Sequence, residues 1–290
     1  MLERALTTAS AALALTLCVL TPSALADAGT PLVIGHRGAA GLAPENTLEA
    51  VDRAARAGIG WVEVDVQRSK DGVLVVLHDQ DLARTTDART VFPRRAPWKV
   101  GDFTVAELTG LRAGAEPRWK GSGYENARVP TLGQLLDRLD RTGQGLLLEV
   151  KWPQNHPGVT RDILAVLGRK GWLDRRHVDS RLHIISFQAA ALREVRALRP
   201  AIKLGICQEG ASAGKLASYA KFVDSVNPQQ GAVTRDFVRR AHALKGPHGK
   251  PLKVWPYTVN TATQARRLRA LGVDGFTSDV PDAMRRTLGR

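Results

Sequence analysis

Residues 61–77 read WVEVDVQRSKDGVLVVL, and they set how many strands the sheet can hold. The β-branched runs Trp61–Val66 and Val73–Leu77 both have the composition of strands. Only Gln67-Arg68-Ser69-Lys70-Asp71-Gly72 separates them, with a turn signal in Lys70-Asp71-Gly72. A parallel crossover needs about a dozen residues or more, so the second run must fold back antiparallel as an arm of the first.

Outward from this hairpin, apolar β-rich runs alternate with amphipathic stretches. Further strand candidates are Leu32–Gly35, Leu146–Val150, Leu182–Phe187, Ile202–Ile206, Phe222–Val226, Val254–Val259 and Gly275–Thr277. Helical periodicity marks Thr47–Ala57, Leu132–Arg141, Val159–Lys170, Ala189–Leu198, Ser212–Ala220, Thr234–Leu244 and Thr261–Leu271. Repeated strand–helix units build parallel sheets, and with the Val73–Leu77 arm set aside the strands number eight. The expected fold is α/β, a TIM-type (β/α)8 barrel whose working face lies at the C-terminal ends of its strands. Residues 81 to 128, rich in Pro, Gly, Arg and Thr with one short helical pattern at Thr104–Leu111, break the rhythm. Such a segment is expected to be a small inserted subdomain, either a functional lid or a structural pack on the barrel end.

The chain has 290 residues, 43% hydrophobic and 24% charged, with 42 Lys+Arg against 28 Asp+Glu for a net charge of +14. That apolar fraction argues against disorder. The charge favours anions, but basic residues never run beyond pairs, so no specific nucleic-acid surface is expected. An electrostatic association with an acidic cell envelope fits the same charge. At the N-terminus, the apolar run Ala11–Leu20 is short for a membrane span and leads to Ala24-Leu25-Ala26, a small-x-small pattern. Residues 1–26 therefore read as a signal peptide, with cleavage near Ala26-Asp27, residues 27–290 as the barrel domain, and the protein as secreted or extracytoplasmic. Cys18 falls in the removed part, which leaves Cys207 alone and no internal disulfide.

Chemistry-bearing residues gather at expected strand ends. They are His36 and Arg37, Glu63 and Asp65, His78, then Glu149 and Lys151. Glu63 and Asp65 are two apart on a strand and point to one side, which in a barrel is the interior. Paired carboxylates there repel and lose hydration, and a divalent cation relieves both costs. Glu149 completes an all-oxygen set suited to Mg²⁺ or Ca²⁺, while ion pairing with Arg37 and Lys151 is the structural alternative. Two histidines supply the side chain best suited to exchange protons near neutrality. His156, His177, His183, His242 and His248 lack such company and read as structural or exposed. A hard cation, two histidines and flanking cations fit phosphodiester cleavage.

The ordered strings His36-Arg37-Gly38, Ala43-Pro44-Glu45-Asn46-Thr47, Val62-Glu63-Val64-Asp65-Val66, Val75-Val76-Leu77-His78-Asp79 and Glu149-Val150-Lys151 together resemble the glycerophosphodiester phosphodiesterase family. Pro130-Thr131-Leu132, Ser186-Phe187, Thr258-Val259-Asn260, Gly272-Val273-Asp274-Gly275 and Thr277-Ser278-Asp279 extend the likeness to nearly the whole chain beyond the leader. The resemblance implies hydrolysis of glycerophosphodiesters to an alcohol and glycerol 3-phosphate. It implies one divalent cation, Ca²⁺ or Mg²⁺, on Glu63, Asp65 and Glu149, with His36 and His78 as the acid–base pair. Arg37 and Lys151 match positions expected to hold the phosphate, and Tyr257 stands where the family commonly has Trp, as an aromatic wall for substrate. His36 is assigned as general base and His78 as general acid. Asn46 is expected to cap the helix that begins at Thr47. Two other readings stay open. The same site could act on lysophospholipids, phosphoinositides or polymeric glycerol phosphate of an envelope, or the barrel could be a non-catalytic binder of anionic polymers.

Overall fold

The structure is a computed structural model that describes residues 29–289, so the signal peptide read in residues 1–26 lies outside the described residues. Among the described residues nine strands form, β1 (Leu32–Gly35), β2 (Trp61–Arg68), β3 (Leu74–Val76), β4 (Gly145–Val150), β5 (Leu182–Ser186), β6 (Lys203–Gln208), β7 (Ser225–Pro228), β8 (Lys253–Val254) and β9 (Gly275–Ser278). Eight run parallel in the order β8-β7-β6-β5-β4-β2-β1-β9, and β3 pairs antiparallel with β2 alone. The two ends of this row meet through backbone bonds from Asp274 N to Val254 O at 3.1 Å, Thr277 N to Pro256 O at 3.1 Å and Val259 N to Thr277 O at 2.9 Å. The result is a nearly closed eight-stranded parallel barrel, with the β2–β3 hairpin projecting from its C-terminal rim.

Strand alternation divides the core. Val62, Val64 and Val66 of β2 face outward, where they join Leu132, Leu135, Leu136 and Leu139 of the helix Leu132–Thr142. That helix is set by a capping box between Thr131 and Gln134 and is stopped by Gly143, whose φ of 73° is left-handed. Burying each such leucine contributes roughly 1.5–3 kcal/mol. The opposite positions, Trp61, Glu63 and Asp65, point into the barrel, where Ile34, Leu147, Ile185, Cys207 and Trp255 form a smaller apolar plug. Gly145 makes room for Trp61, because a Cβ there would lie 2.6 Å from the indole ring.

Several elements differ from the expected reading, and one helix was not expected at all. The sixth barrel strand was expected at Phe222–Val226, but Phe222 and Val223 fold back onto Tyr219 O to close the short helix Leu216–Tyr219, and the strand, β7, starts at Ser225. The next is regular only at Lys253–Val254, although Trp255 N and Tyr257 N still donate to Val226 O and Pro228 O at 3.0 and 3.1 Å, and Pro256 has no N–H to offer β9 on the other side. A helix at Arg175–Ser180, capped by the Asp174 side chain on His177 N, had no clear periodicity. The inserted segment contains the helices Ala88–Val91 and Val105–Gly110. Leu82, Val100, Phe103, Leu108 and Leu111 pack there against Val75 and Leu77 from the β3 arm. Residues 81–128 are thus a small subdomain with its own core, docked on the hairpin.

Inside the barrel, His183 is 2% exposed, its Nε2 lies 3.1 Å from Ser225 Oγ, and its ring lies 4.8 Å from that of Trp255. Burial pushes its pKa down from 6.5 to about 3. The unfolded chain therefore takes up a proton near pH 6.5 that the folded chain refuses, and stability present above that pH is lost as pH falls. The loss from this one group is about 2 kcal/mol between pH 7 and pH 5. Denaturant unfolding at both pH values should show His183→Gln losing about 2 kcal/mol less than the wild type over that interval. Equal losses in the two proteins would contradict the assignment.

Candidate active site

At the C-terminal rim, register brings the acids together. Asp65 of β2 is directly opposite Glu149 of β4, and Glu63 lies one interior position below Asp65. One oxygen from each of Glu63, Asp65 and Glu149 lies within 4.8 Å of the others, and all three residues are buried. Among the described residues, no other group of three metal-ligating side chains meets this condition. Burial, followed by the charges of Asp65 and Glu149, pushes the Glu63 carboxyl well above the ordinary carboxylate range. Burial and Asp65 also raise Glu149, against the pull of Lys151. Burial works the same way on Asp65, but Lys151, Arg37 and His78 outweigh it and bring its pKa down to about 2. Glu63 Oε2 accepts from Arg37 N at 2.9 Å, while buried Oε1 has no partner. An all-oxygen set with one orphaned oxygen fits a hard divalent cation such as Ca²⁺ or Mg²⁺, and these are the residues that could hold it.

The two histidines flank this group. His36, on the loop after β1, sets Nδ1 2.6 Å from Asp279 Oδ1 and Nε2 3.9 Å from Glu63 Oε2. Asn260 fixes Asp279 from the other side, donating from Nδ2 to Oδ2 at 2.6 Å. Burial would raise the Asp279 carboxyl, but His36 and Asn260 keep it below the usual range. His78, after β3, sets Nδ1 2.7 Å from Asp79 Oδ1. Gln67 braces that loop by donating to the carbonyls of Leu77 and Asp79 at 2.9 and 2.6 Å. An ionised carboxylate only accepts, so each Nδ1 carries its proton and each Nε2 is left for a reactant.

The cations are held by acids of their own. Lys151 Nζ lies 2.9 Å from Glu149 Oε1 and 3.7 Å from Asp65 Oδ1. Arg37 NH1 donates to Glu45 Oε1 at 2.7 Å. Arg84 grips the same Glu45 through both its terminal nitrogens, at 2.7 and 2.8 Å, and donates from Nε to Asp79 Oδ2 at 2.6 Å. One residue from the inserted segment thereby ties the Arg37 support to the His78 support. Asn46 corrects the expectation that it caps a helix, since the Thr47 side chain is the cap and accepts from Ala50 N. Asn46 instead donates to Asp65 Oδ2 at 2.8 Å and accepts from Asp65 N at 3.1 Å. Arg37, Asn46 and Trp152 adopt φ of 50°, 60° and 45°, three of the four positive-φ nonglycine residues described, which concentrates backbone strain at this rim.

The residues enclose a cavity of about 160 Å³ lined by His36, Arg37, Glu63, His78, Glu149, Lys151 and Tyr257, with Ile185, Cys207 and Trp255 among its floor. Asp65 lies just beneath, against Arg37 and Lys151. Tyr257 donates its hydroxyl to Gln208 O at 3.0 Å, and burial raises its pKa, so the hydroxyl stays protonated. All eight sequence-derived site residues are therefore brought to one place. Sequence reasoning gave no role to Asp79, Asp279, Glu45 or Arg84. The first three stand inside or beside the quoted strings, whereas Arg84 lies in the irregular segment and carried no signal. A wider groove of about 630 Å³ between the β2–β3 hairpin and the insertion, lined by Arg68, Lys70, Lys99 and His156, contains none of the three carboxylates.

Comparison with known proteins follows the same lines. The sequence pattern of the glycerophosphoryl diester phosphodiesterase family matches residues 36–283. A glycerophosphodiester phosphodiesterase of Bacillus subtilis (strain 168) is 31% identical over 261 residues, covering 87% of this chain and 84% of that protein. One from Caldanaerobacter subterraneus subsp. tengcongensis is 28% identical over 260 residues, covering 87% of this chain and 96% of its own length. The structure of an Oleispira antarctica phosphodiesterase in complex with the product sn-glycerol-3-phosphate is similar at a TM-score of 0.74 and 29% identity, covering 90% of this chain and 98% of that one. With most of its length matched by the family pattern and by full-length relatives, the chain belongs to the glycerophosphoryl diester phosphodiesterase family.

Proposed function

We propose that the protein hydrolyses glycerophosphodiesters to an alcohol and glycerol 3-phosphate, with a divalent cation on Glu63, Asp65 and Glu149 and with His36 and His78 exchanging the protons. The observation that carries this reading is the convergence of three clustered carboxylates, two of them lining one cavity, with two carboxylate-anchored imidazoles and two cations that line it as well. The related phosphodiesterase bound to sn-glycerol-3-phosphate supports the product. A bound Ca²⁺ or Mg²⁺ would supply positive charge to the phosphate oxygens.

The chain's own groups do the rest. Arg37 and Lys151 hold the phosphate oxygens, Lys151 from 2.9 Å beside Glu149 and Arg37 from its brace on Glu45. His36 Nε2 takes the proton of the attacking hydroxyl as the new P–O bond forms. His78 Nε2 gives its proton to the departing alkoxide as the old P–O bond breaks. Asp279 and Asp79 keep each ring oriented. His78 enters as the imidazolium and ends neutral, His36 ends protonated, and with water as the attacker one proton lost to solvent from His36 and one taken up by His78 restore both while one water is consumed. No residue from 81 to 128 lines the cavity, and that segment's large apolar residues Leu82, Phe103, Leu108 and Leu111 are buried in its own core. This favours a water-soluble diester over a lysophospholipid. The leader pattern at Ala11–Leu20 and Ala24-Leu25-Ala26 supports action outside the cytoplasm, where the +14 charge would draw anionic substrates or hold the enzyme near an acidic envelope.

Two outcomes follow. Glycerol 3-phosphate release from glycerophosphocholine should fall to background after dialysis against EDTA and return with Ca²⁺ or Mg²⁺. Undiminished activity after chelation would remove the metal from the account. His36→Ala and His78→Ala should each lower kcat about a hundredfold or more on an ordinary diester. On a diester with p-nitrophenol as leaving group, which needs no acid, His78→Ala should recover most activity and His36→Ala should not. The reverse pattern would exchange the two roles.

A further inference from the structure

Beside this cavity lies a second lobe of about 320 Å³. His78, Glu149, Lys151 and Phe187 border both lobes, whereas His36 borders only the first. The side chain assigned to protonate the departing alcohol thus stands at the junction, and the second lobe is where that alcohol would lie.

Its walls have a distinct chemistry. Trp152 follows Lys151 directly and takes a left-handed φ of 45°, which nonglycine residues rarely adopt. Its indole Nε1 donates to His78 O at 3.1 Å, so the ring is fixed beside the acid. Phe187 is 38% exposed, unusual for a large apolar side chain, and meets the Tyr257 ring edge-on at 5.8 Å. Lys151 Nζ lies 5.6 Å from both the Trp152 and Phe187 rings, but its charge is engaged by Glu149 and Asp65. Glu209 closes the lobe, makes no hydrogen bond or ion pair, and is close enough for its charge to act on the Tyr257 hydroxyl. In a chain with 14 more basic than acidic side chains, an unpaired carboxylate lining the same lobe as two aromatic rings offers a site for a cation from outside.

Resting on the diester-hydrolase reading, we propose that this lobe receives the leaving alcohol and selects alcohols that carry an ammonium group, of the choline or ethanolamine type. The aromatic faces attract a cation through their quadrupoles, and Glu209 adds the opposing charge. An anionic head group would be repelled by Glu209, and a neutral polyol would gain nothing from it.

The test compares kcat/KM for glycerophosphocholine, glycerophosphoethanolamine and glycerophosphoglycerol in the wild type, Glu209→Gln and Glu209→Lys. Glu209 is on the surface, so both variants should fold, which their thermal transitions would verify. The wild type should favour the choline diester over the glycerol diester about tenfold, Glu209→Gln should reduce that ratio severalfold, and Glu209→Lys should abolish it. Hydrolysis of all three diesters with a ratio near one, or a ratio unmoved by Glu209→Lys, would overturn the head-group inference and leave the hydrolase reading intact. No glycerol 3-phosphate from any diester would overturn both.

Discussion

Three carboxylates that cannot all be comfortably ionised are the constraint around which the rim of this barrel is arranged. Asp65 and Glu149 face each other across a strand pair, and Glu63 lies on the same interior side. Two cations are within reach, and both lean on Asp65, with Arg37 Nε at 3.5 Å and Lys151 Nζ at 3.7 Å. Asp65 is thereby kept ionised, while Glu63 and Glu149 have their charge pushed toward the neutral form. A further positive charge would relieve the remaining repulsion, and a cation there would give a phosphate diester something to bind.

The surrounding architecture reads as support for that imbalance. Each catalytic candidate touches an acid that is itself fixed, His36 through Asp279 to Asn260, His78 through Asp79 to Arg84, and Arg37 through Glu45 to Arg84. Such pinned partners keep a reactive group in one rotamer and one tautomer, which is how positioning lowers a barrier without new contacts to substrate. The inserted segment has its place in this scheme. Its own core anchors it to the β3 arm, and from that base Arg84 reaches two acids of the rim.

Much of this was legible in the sequence because it depends on short-range periodicity. The six-residue link between the arms of the hairpin forced an antiparallel return, and that one deduction fixed the barrel count. The two-residue spacing of Glu63 and Asp65 placed both on the interior face before any register was known. What escaped depends on contacts between distant segments. Asn46 looked like a helix cap because it precedes Thr47, yet its amide is matched to Asp65, a partner that only the closed barrel supplies. Arg84 sits in a stretch without periodicity, and its value comes from Glu45, 39 residues earlier. The short regular span of β8 is followed by Pro256, which offers no donor toward β9, a gap that a purely apolar pattern conceals. Of the large positive charge, the site uses Arg37, Lys151 and Arg84, Arg181 is buried against the carbonyls of Leu139 and Gln144, and many others, such as Arg161 and Arg175, are exposed.

The central claim is that Glu63, Asp65 and Glu149 form one cation site. Isothermal titration of chelator-treated protein with Ca²⁺ or Mg²⁺ tests it directly, with Glu63→Gln as the comparison. The account predicts one ion per chain for the wild type and no detectable binding for Glu63→Gln with its fold intact. Absence of binding by the wild type, or undiminished binding by Glu63→Gln, would contradict it.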